Sequence, residues 1–386
     1  DRGGKVKPEP IWDWNLSFGN ADYLDGGHYS GWYYNQCDEN AHIWQRRLIN
    51  GTTAASGVGD PNYCQKIADR WGELRTNVFN GPRLLARIDE IAALLSEAAD
   101  RDFAKFPRLG TYIWPNPSTP AFDVNYVTPT TYAGIISEMK KWVAGRYNWV
   151  DGQFTLAPAF DAAPGLVSKG TVITLSVPAG ATNYYTVDGT DPRASGGGLS
   201  SKAVRYTGPI TVNANVCIFA RARKSASASW QATWSPPVIG AFYTTIPALR
   251  ITEVMFNPLP PGAGNTNEAD NFEYIEVKNT GTTSLNVSGF QLGGGVAFTF
   301  PSVVLAAGQT AVIVKNIAAF QSRYGSSALI LGTFTGSLAS SGDRLVLEGS
   351  RREPILDFSY NDKWYPAADG FGFSLVVQDE QAPAVN

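Results

Sequence analysis

The sequence predicts a multidomain α+β protein in which a mainly helical segment precedes two all-β sandwiches. Three observations support this fold class. The chain has 386 residues, more than one ordinary domain of roughly 100–200 residues. Apolar residues recur at helical spacing in its first part, and from about residue 155 short alternating runs are separated by Gly, Pro, Asn and Asp. We expect domains at residues 1–154, 155–245 and 246–386.

Helix signals mark the first segment. Asp60 and Pro61 form a helix start, an acidic N-cap followed by Pro at the first helical position. A second helix follows Asn80-Gly81-Pro82, and a third begins near Thr130. Each carries one apolar stripe that we interpret as its buried face. The stripes are Ile67, Trp71, Leu74 and Val78; Leu84, Ile88, Ile91 and Leu95; and Tyr132, Ile136, Met139 and Val143.

Strand signals fill the remainder of the chain. Alternating runs bounded by turn residues every eight to twelve positions are typical of β-sandwiches. A Pro-containing stretch at 235–247 separates the two β segments. The runs are 171–177, 184–187, 203–206 and 216–223 in the middle segment, and 249–255, 273–277, 290–292, 311–314 and 344–347 in the last.

Composition narrows the class of protein. Charged residues make up 17% of the chain, below the roughly one quarter typical of soluble domains, and Gly and Pro are plentiful. This balance is typical of extracellular β-modules rather than of a helical cytosolic enzyme. The net charge of −3 does not indicate the basic surface that a nucleic-acid-binding protein carries. No run approaches the ~20 apolar residues of a membrane span.

The three cysteines predict one disulfide. Cys37 and Cys64 bracket a Gly/Thr/Ser-rich loop at 50–59, which a bridge would close. Cys217 lies in a strand-like run and is expected to be a buried free thiol. One bridge and one leftover thiol are typical of a secreted protein, whereas three unrelated buried thiols are the alternative.

Motifs in each segment resemble a known family. The sequences DRGGK at 1–5, IWDWNLSFGN at 11–20 and LLARID at 84–89 resemble the C-terminal part of CotH-type kinase domains. The sequence YYTVDGTDP at 184–192 resembles the Ig-like C-terminal module of chitobiase and β-hexosaminidase. The sequences ITEVMFNP at 251–258 and EYIEVKN at 273–279 resemble bacterial lamin-tail domains. The resemblances imply a helical kinase-like segment followed by two Ig-like sandwiches, as in large secreted bacterial proteins.

The CotH resemblance implies a magnesium site in the first segment. Phosphoryl transfer needs acidic ligands that hold Mg²⁺ against nucleotide phosphates. Asp13 corresponds to a metal-binding acid of the family, and Asn15, on the same face of a short strand, would be its partner. Asn15 stands where the family often has a second acid, which removes one charge. A structural role for Asp13, bonded to Trp indoles or backbone, is the alternative.

The remaining catalytic parts of such a kinase would all precede Asp1. These are the nucleotide-covering lobe, the phosphate-binding Lys and the catalytic base. We therefore predict no catalytic residue in the chain as given and expect it to be inactive. Mg²⁺ and ATP would be its cofactors if an upstream kinase lobe exists.

Other candidate metal ligands are less well arranged. His28 and His42 match no zinc spacing, and we interpret them as surface or core polar residues. The loop at 265–273 concentrates oxygen ligands, and Glu268, Asp270 and Glu273 form a candidate calcium loop. A solvated loop between two strands is the favoured alternative.

Two motifs of the middle segment have both a structural and a functional interpretation. Asp188 and Asp191 could bind calcium, but Asp-Gly and Asp-Pro are turn sequences, and the turn is favoured. Trp230 and Trp234 would lie on one face of a strand. We favour burial in the sandwich over stacking on a sugar.

The functional expectation is a secreted or cell-surface bacterial protein that acts in extracellular assembly or adhesion. Its partners would be other extracellular proteins or cell-surface polymers, without nucleic acid and without a membrane span. The alternative is the C-terminal part of a secreted CotH-like protein kinase that uses ATP and Mg²⁺. A further alternative is carbohydrate attachment through the β modules.

Overall fold

A computed structural model describes residues 17–32, 47–49, 59–116, 128–224 and 232–382. Helices dominate the part up to residue 151, and strands in several sheets follow. The predicted fold class is confirmed. None of the helices in the described part of the chain is long and apolar enough to cross a membrane.

Three long helices form the first part, and side-chain caps begin each of them. The carboxylate of Asp60 accepts the backbone N–H groups of Asn62 and Tyr63 at 2.9 and 2.7 Å, which confirms the predicted helix start. Asn80 and Thr131 cap the other two in the same way. The helices are α1 (Pro61–Thr76), α2 (Gly81–Lys105) and α3 (Tyr132–Asp151).

The predicted buried stripe of α2 is wrong in its second half. Leu84 and Ile88 are half-buried, but Ile91 and Leu95 are exposed. The reason is that α2 turns a neighbouring face toward α3. The half-buried residues in its second half are Ala92, Ala99 and Phe103, and the ring of Phe103 packs against Tyr132 of α3 at 6.4 Å between centroids. Val78 is exposed as well, because α1 ends at Thr76.

The helical core extends into the first β segment. Ala68 of α1 and Val150 of α3 are buried together with Phe154 and with Ala232, which belongs to the β segment. Trp32 and Trp149 pack beside them. The helical segment and the first sandwich therefore share apolar contacts.

The described residues of the first sandwich form seven strands. Its larger sheet has the order β1-β7-β6-β3-β4, and β2 pairs with β5 in a second small sheet. Ile173, Val212, Ile218 and Phe242 are buried between them. The strands are β1 (Gly165–Leu166), β2 (Thr171–Ile173), β3 (Thr182–Thr186), β4 (Val204–Arg205), β5 (Ile210–Val212), β6 (Val216–Arg223) and β7 (Val238–Tyr243).

The second sandwich packs two five-stranded sheets over one large core. One sheet has the order β16-β12-β11-β17-β18 and the other β15-β14-β9-β8-β19. Its elements are β8 (Leu249–Met255), β9 (Tyr274–Asn279), β10 (Leu285–Asn286), β11 (Gln291–Gly294), β12 (Val296–Thr299), β13 (Val304–Leu305), β14 (Thr310–Val314), α4 (Ile317–Tyr324), β15 (Ile330–Thr333), β16 (Thr335–Gly336), β17 (Gly342–Glu348), β18 (Pro354–Asn361) and β19 (Leu375–Val376).

The separator between the two sandwiches is shorter than predicted. The stretch 235–247 contains strand β7, which pairs with both β1 and β6. The prolines at 236 and 237 precede this strand rather than interrupt it, because Pro is tolerated at strand starts. β7 and β8 lie in different sheets.

Candidate functional site

A buried arginine joins the helical segment to the first sandwich. Arg221 on β6 is 3% exposed. Its guanidinium donates to Asp69 of α1 at 2.6 and 2.9 Å, and to Asp191 at 2.8–3.1 Å. A fifth N–H donates to the backbone oxygen of Ser235 at 2.7 Å. Every donor of the guanidinium is used, which satisfies the requirement for burying this charge.

The charges at this junction balance. Burial by itself would lower the pKa of Arg221, but the hydrogen bonds to Asp69 and Asp191 raise it above its ordinary value. Arg193 lies nearby, and burial together with the charge of Arg221 lowers its pKa. It donates to the side-chain oxygen of Asn62 at 3.0 Å and to the backbone of Pro61. Two arginines and two carboxylates thus meet between α1 and the sandwich.

The DGTDP motif at 188–192 forms the sandwich side of this junction. Asp188 accepts the backbone and hydroxyl groups of Thr190 at 3.1 and 2.6 Å and pairs with Lys202 at 2.7 Å. Although burial alone would raise the pKa of Asp188, the hydrogen bonds from Lys202 and Thr190 hold it below its ordinary value. The turn interpretation is confirmed, and both carboxylates of the motif are used in contacts within the protein.

Gly189 in this motif requires a backbone that only glycine adopts easily. Its φ is 76°, and an added Cβ would lie 3.0 Å from the Sγ of Cys217. The sulfur of Cys217 therefore packs directly against the turn. The backbone N–H of Gly189 also donates to the backbone oxygen of Cys217 at 2.8 Å, which joins the turn to β6.

An open cleft of about 860 Å³ adjoins the junction. Pro236, Pro237 and Leu156 contribute apolar surface to it, and α1 contributes charged residues. Asp151 in the cleft is engaged by Arg75 at 2.9 Å and by the Trp71 indole at 2.8 Å. This cleft can hold a ligand, but its central carboxylate already has two partners.

The predicted magnesium ligands Asp13 and Asn15 lie outside the described residues, as does His42. His28 is half-buried. Within the described ranges, three or more His, Cys, Asp or Glu residues nowhere form a group that could hold a metal.

The candidate calcium loop is not assembled as a ligand group. Glu268 and Asp270 are exposed, whereas Glu273 is buried. The Glu273 carboxylate accepts the backbone N–H of Leu338 at 3.1 Å and the hydroxyl of Ser337 at 3.4 Å. It therefore holds the segment before β17 by two hydrogen bonds within the protein. Burial raises its pKa to about 7.

The structure shows no bridge at Cys64. Cys64 is a free, fully buried thiol whose sulfur lies 3.8 Å from the backbone oxygen of Ile49, and Cys37 lies outside the described residues. Burial raises the pKa of the Cys64 thiol to about 11, with Asp60 adding to the effect. Cys217 is free and fully buried, as predicted.

Trp234 is part of the sandwich, which confirms the favoured interpretation. It is almost fully buried, packs against Tyr184 at 5.6 Å between ring centroids, and donates to the backbone of Gly197 at 2.9 Å. Trp230 lies outside the described residues. Trp234 is therefore unable to stack on a sugar.

The last sandwich has a pocket that sequence reasoning missed. Its volume is about 240 Å³, and it opens between strand β18 of one sheet and strands β8 and β19 of the other. Apolar side chains form most of the lining, with charged residues around them. Its apolar and aromatic lining includes Leu356, Phe358, Tyr360, Trp364 and Tyr365 on one side and Val254 and Leu375 on the other.

Exposed aromatic side chains accompany this pocket. In residues 364–373, which we call the aromatic segment, Trp364 is 50% exposed and Phe371 is 70% exposed. Tyr365 and Phe373 are exposed to a similar extent, and the Tyr365 hydroxyl accepts a hydrogen bond from Gln378. The signal in the sequence was the density of aromatic residues between β18 and β19, where no periodicity places them in a core.

Comparison with known families matches all three resemblances. A model described as CotH kinase protein matches residues 1–150. One described as Chitobiase/beta-hexosaminidase C-terminal domain matches 162–233, and one described as Lamin Tail Domain matches 244–362. The predicted order of families is confirmed, and the chain is a modular protein.

Similarity to solved structures is low. A DUF4876 family protein from Bacteroides thetaiotaomicron is 11% identical, and the match covers 47% of this chain and 64% of that chain at a TM-score of 0.23. Domains 7, 8 and 9 of the S-layer protein SbsC are 13% identical, with 55% and 60% covered and a TM-score of 0.16. This chain thus spans less than two thirds of either structure. No curated protein matches it.

Proposed function

We propose that this chain is a secreted or cell-surface protein that acts in extracellular assembly or adhesion through its Ig-like modules. The observation that carries the proposal is the aromatic segment of the last sandwich, whose four exposed rings follow one another closely along the chain. Single exposed apolar residues are normal on a protein surface, whereas grouped ones mark interaction sites.

The modular order supports the same function. A kinase-like segment, a chitobiase-type module and a lamin-tail module follow one another, and the first two are clamped together by Arg221. The low share of charged residues is typical of extracellular β-modules. The partners we propose are other extracellular proteins or cell-surface polymers.

Binding of the purified protein to intact bacterial cells tests this function. The double variant Trp364→Ala/Tyr365→Ala removes two exposed rings without removing a core residue, and we expect at least a fivefold loss of cell binding. Leu94→Ala is the matched control, because Leu94 is an exposed apolar residue (82%) on helix α2. Equal binding of the double variant and the wild type would contradict the proposal, and fractionation of producing cells tests the location.

A second candidate function is the C-terminal part of a secreted CotH-like kinase. The match to the CotH family model, which includes Asp13 and Asn15, favours it. Calorimetry with Mg²⁺ and ATP measures whether this chain holds a nucleotide. Micromolar binding that disappears in Asp13→Ala would support the kinase, because phosphoryl transfer needs acidic ligands that hold Mg²⁺ against the nucleotide phosphates.

Carbohydrate attachment is a further candidate. Since Trp234 is buried, the rings that could stack on a sugar in the described part of the chain include Trp364 and Tyr365. Titration with oligosaccharides of chitin and of peptidoglycan, followed by Trp fluorescence, tests it. A signal that is lost in Trp364→Ala would support attachment to a polymer.

A further inference from the structure

Strand β18 is an edge strand in the described part of its sheet. It is eight residues long, lies at the end of its sheet and pairs only with β17 among the described strands. An edge strand of this length presents backbone N–H and C=O groups that another strand can pair with. Pro354 blocks only its first position, because Pro lacks an N–H.

The pocket lies where a strand added to β18 would place its side chains. Leu356, Phe358 and Tyr360 alternate along β18 and line the pocket together with Val254 and Leu375 of the facing sheet. An added strand would continue the sheet beyond β18, and every second side chain would point toward the facing sheet. The pocket would receive one of those side chains.

The size of the pocket favours a side chain over a small-molecule ligand. Its volume of about 240 Å³ lies below the ~300–1,000 Å³ of typical ligand pockets. Backbone pairing along an edge combined with a pocket for alternate side chains is the physical basis of strand addition.

The charges around the pocket specify the partner further. Glu253, Asp379 and Glu380 line it, and Arg250 is the one cation among the described lining residues. Glu253 accepts hydrogen bonds from Tyr274 and Ser374, and Glu380 pairs with Lys278 at 2.7 Å. The exposed carboxylate of Asp379 accepts a backbone N–H from Gln381, and no ion pair engages it among the described residues. An incoming strand with Lys or Arg beside its apolar residues complements this rim.

We propose that β18 binds an extended peptide segment of a partner protein by strand addition, with an apolar side chain in the pocket and a basic residue beside Asp379. This inference rests on the proposed adhesive function and names the class of partner. The segment would alternate apolar and polar residues and carry Lys or Arg at its ends. Its affinity would come from the backbone and its selectivity from the pocket and the acidic rim.

A synthetic peptide, acetyl-Lys-Leu-Thr-Val-Thr-Leu-Lys-amide, is the probe. We expect it to bind the full chain and to slow amide hydrogen exchange at residues 355–360. N-methylation of alternate residues on one edge of the peptide should abolish binding, and N-methylation on the other edge should not, because only one edge pairs with β18. Equal effects of the two methylated peptides, or no binding, would overturn the proposal.

Two protein variants test the site. Asp379→Lys should weaken peptide binding at least threefold. Asp100→Lys, which changes an exposed acid on α2, is its matched control.

Binding of chitin or peptidoglycan fragments at the pocket without binding of the peptide would refute strand addition in favour of a sugar site. Concentration-dependent dimers that protect residues 355–360 would refute it in favour of a second copy. If cell binding depends on Trp364 while the peptide fails to bind, the adhesive function stands without this inference.

Discussion

Arg221 offers the sharpest test of how the modules are joined. The variant Arg221→Met keeps the length and apolar stem of the side chain and removes the guanidinium. Asp69 and Asp191 would then face each other without their shared cation, and the backbone oxygen of Ser235 would lose a donor. The variant therefore isolates the charge at the junction.

The expected cost follows from burial. Removing one partner of a buried ion pair costs about 3–5 kcal/mol, because the remaining charge is left uncompensated. The two Asp side chains are 31% and 34% exposed, so that water screens part of their repulsion. We therefore expect a loss at the lower end of this range, about 3 kcal/mol in the free energy of unfolding.

Urea unfolding followed by Trp fluorescence measures this loss. Trp234 is a suitable reporter because it is buried at the same junction, where the Gln65 side chain donates to its backbone oxygen at 3.3 Å. Arg344→Met is the matched control, since the Arg344–Asp357 pair is exposed and should contribute nothing measurable. The triple variant Asp69→Asn/Asp191→Asn/Arg221→Met should recover part of the stability, because it no longer buries unpaired charge. A loss under about 1 kcal/mol in Arg221→Met would refute the account of a charge clamp.

Three further predictions concern buried or constrained groups. With its pKa raised to about 11, buried Cys64 should resist iodoacetamide at pH 8 in the native protein, as should buried Cys217. Labelling in denaturant without reductant should count three thiols, because Cys64 is free, and a count of one would contradict this. Glu273 has a folded pKa raised to about 7, so its contribution to stability is present below about pH 4.5 and is lost as pH rises toward 7. The urea midpoints at pH 5 and pH 7.5 should therefore differ less in Glu273→Gln than in the wild type, and an equal difference would contradict this. Gly189→Ala should lower the free energy of unfolding by about 1–3 kcal/mol, and by more than Gly170→Ala does. Both glycines have positive φ, but only at Gly189 would the added Cβ meet a neighbouring sulfur. Equal losses of stability in urea unfolding would exclude the contact with Cys217 as a cause.

Much of the local structure could be predicted from the sequence, because its causes are local. A cap such as Asp60 accepts hydrogen bonds from backbone groups two and three residues away, and the hydrogen bonds of the DGTDP turn span two residues. Both partners of each interaction are therefore close together in the sequence. The alternating runs likewise became strands in both sandwiches, since period-two patterning marks one buried face. The family resemblances depend on the same contiguous motifs.

The candidate sites depended on contacts that no local pattern contains. Arg221 meets Asp69 across 152 positions of the chain, and the strand pattern around Arg221 does not name that partner. Glu273 was grouped with its neighbours as a calcium ligand, yet it turns to Ser337 and Leu338, because β9 begins beside the segment that leads into β17.

The edge position of β18 likewise depends on contacts between residues that are far apart in the sequence. The sequence by itself determined that this chain consists of a helical segment and two sandwiches, because those elements follow from periodicity and caps. Only the order of strands in the completed sheets decided that β18 has one neighbour among the described strands and that a pocket opens beside it. The order of strands in a sheet and the packing of one sheet on another are set by burying apolar surfaces that are far apart in the sequence. This stabilisation exists only in the tertiary structure.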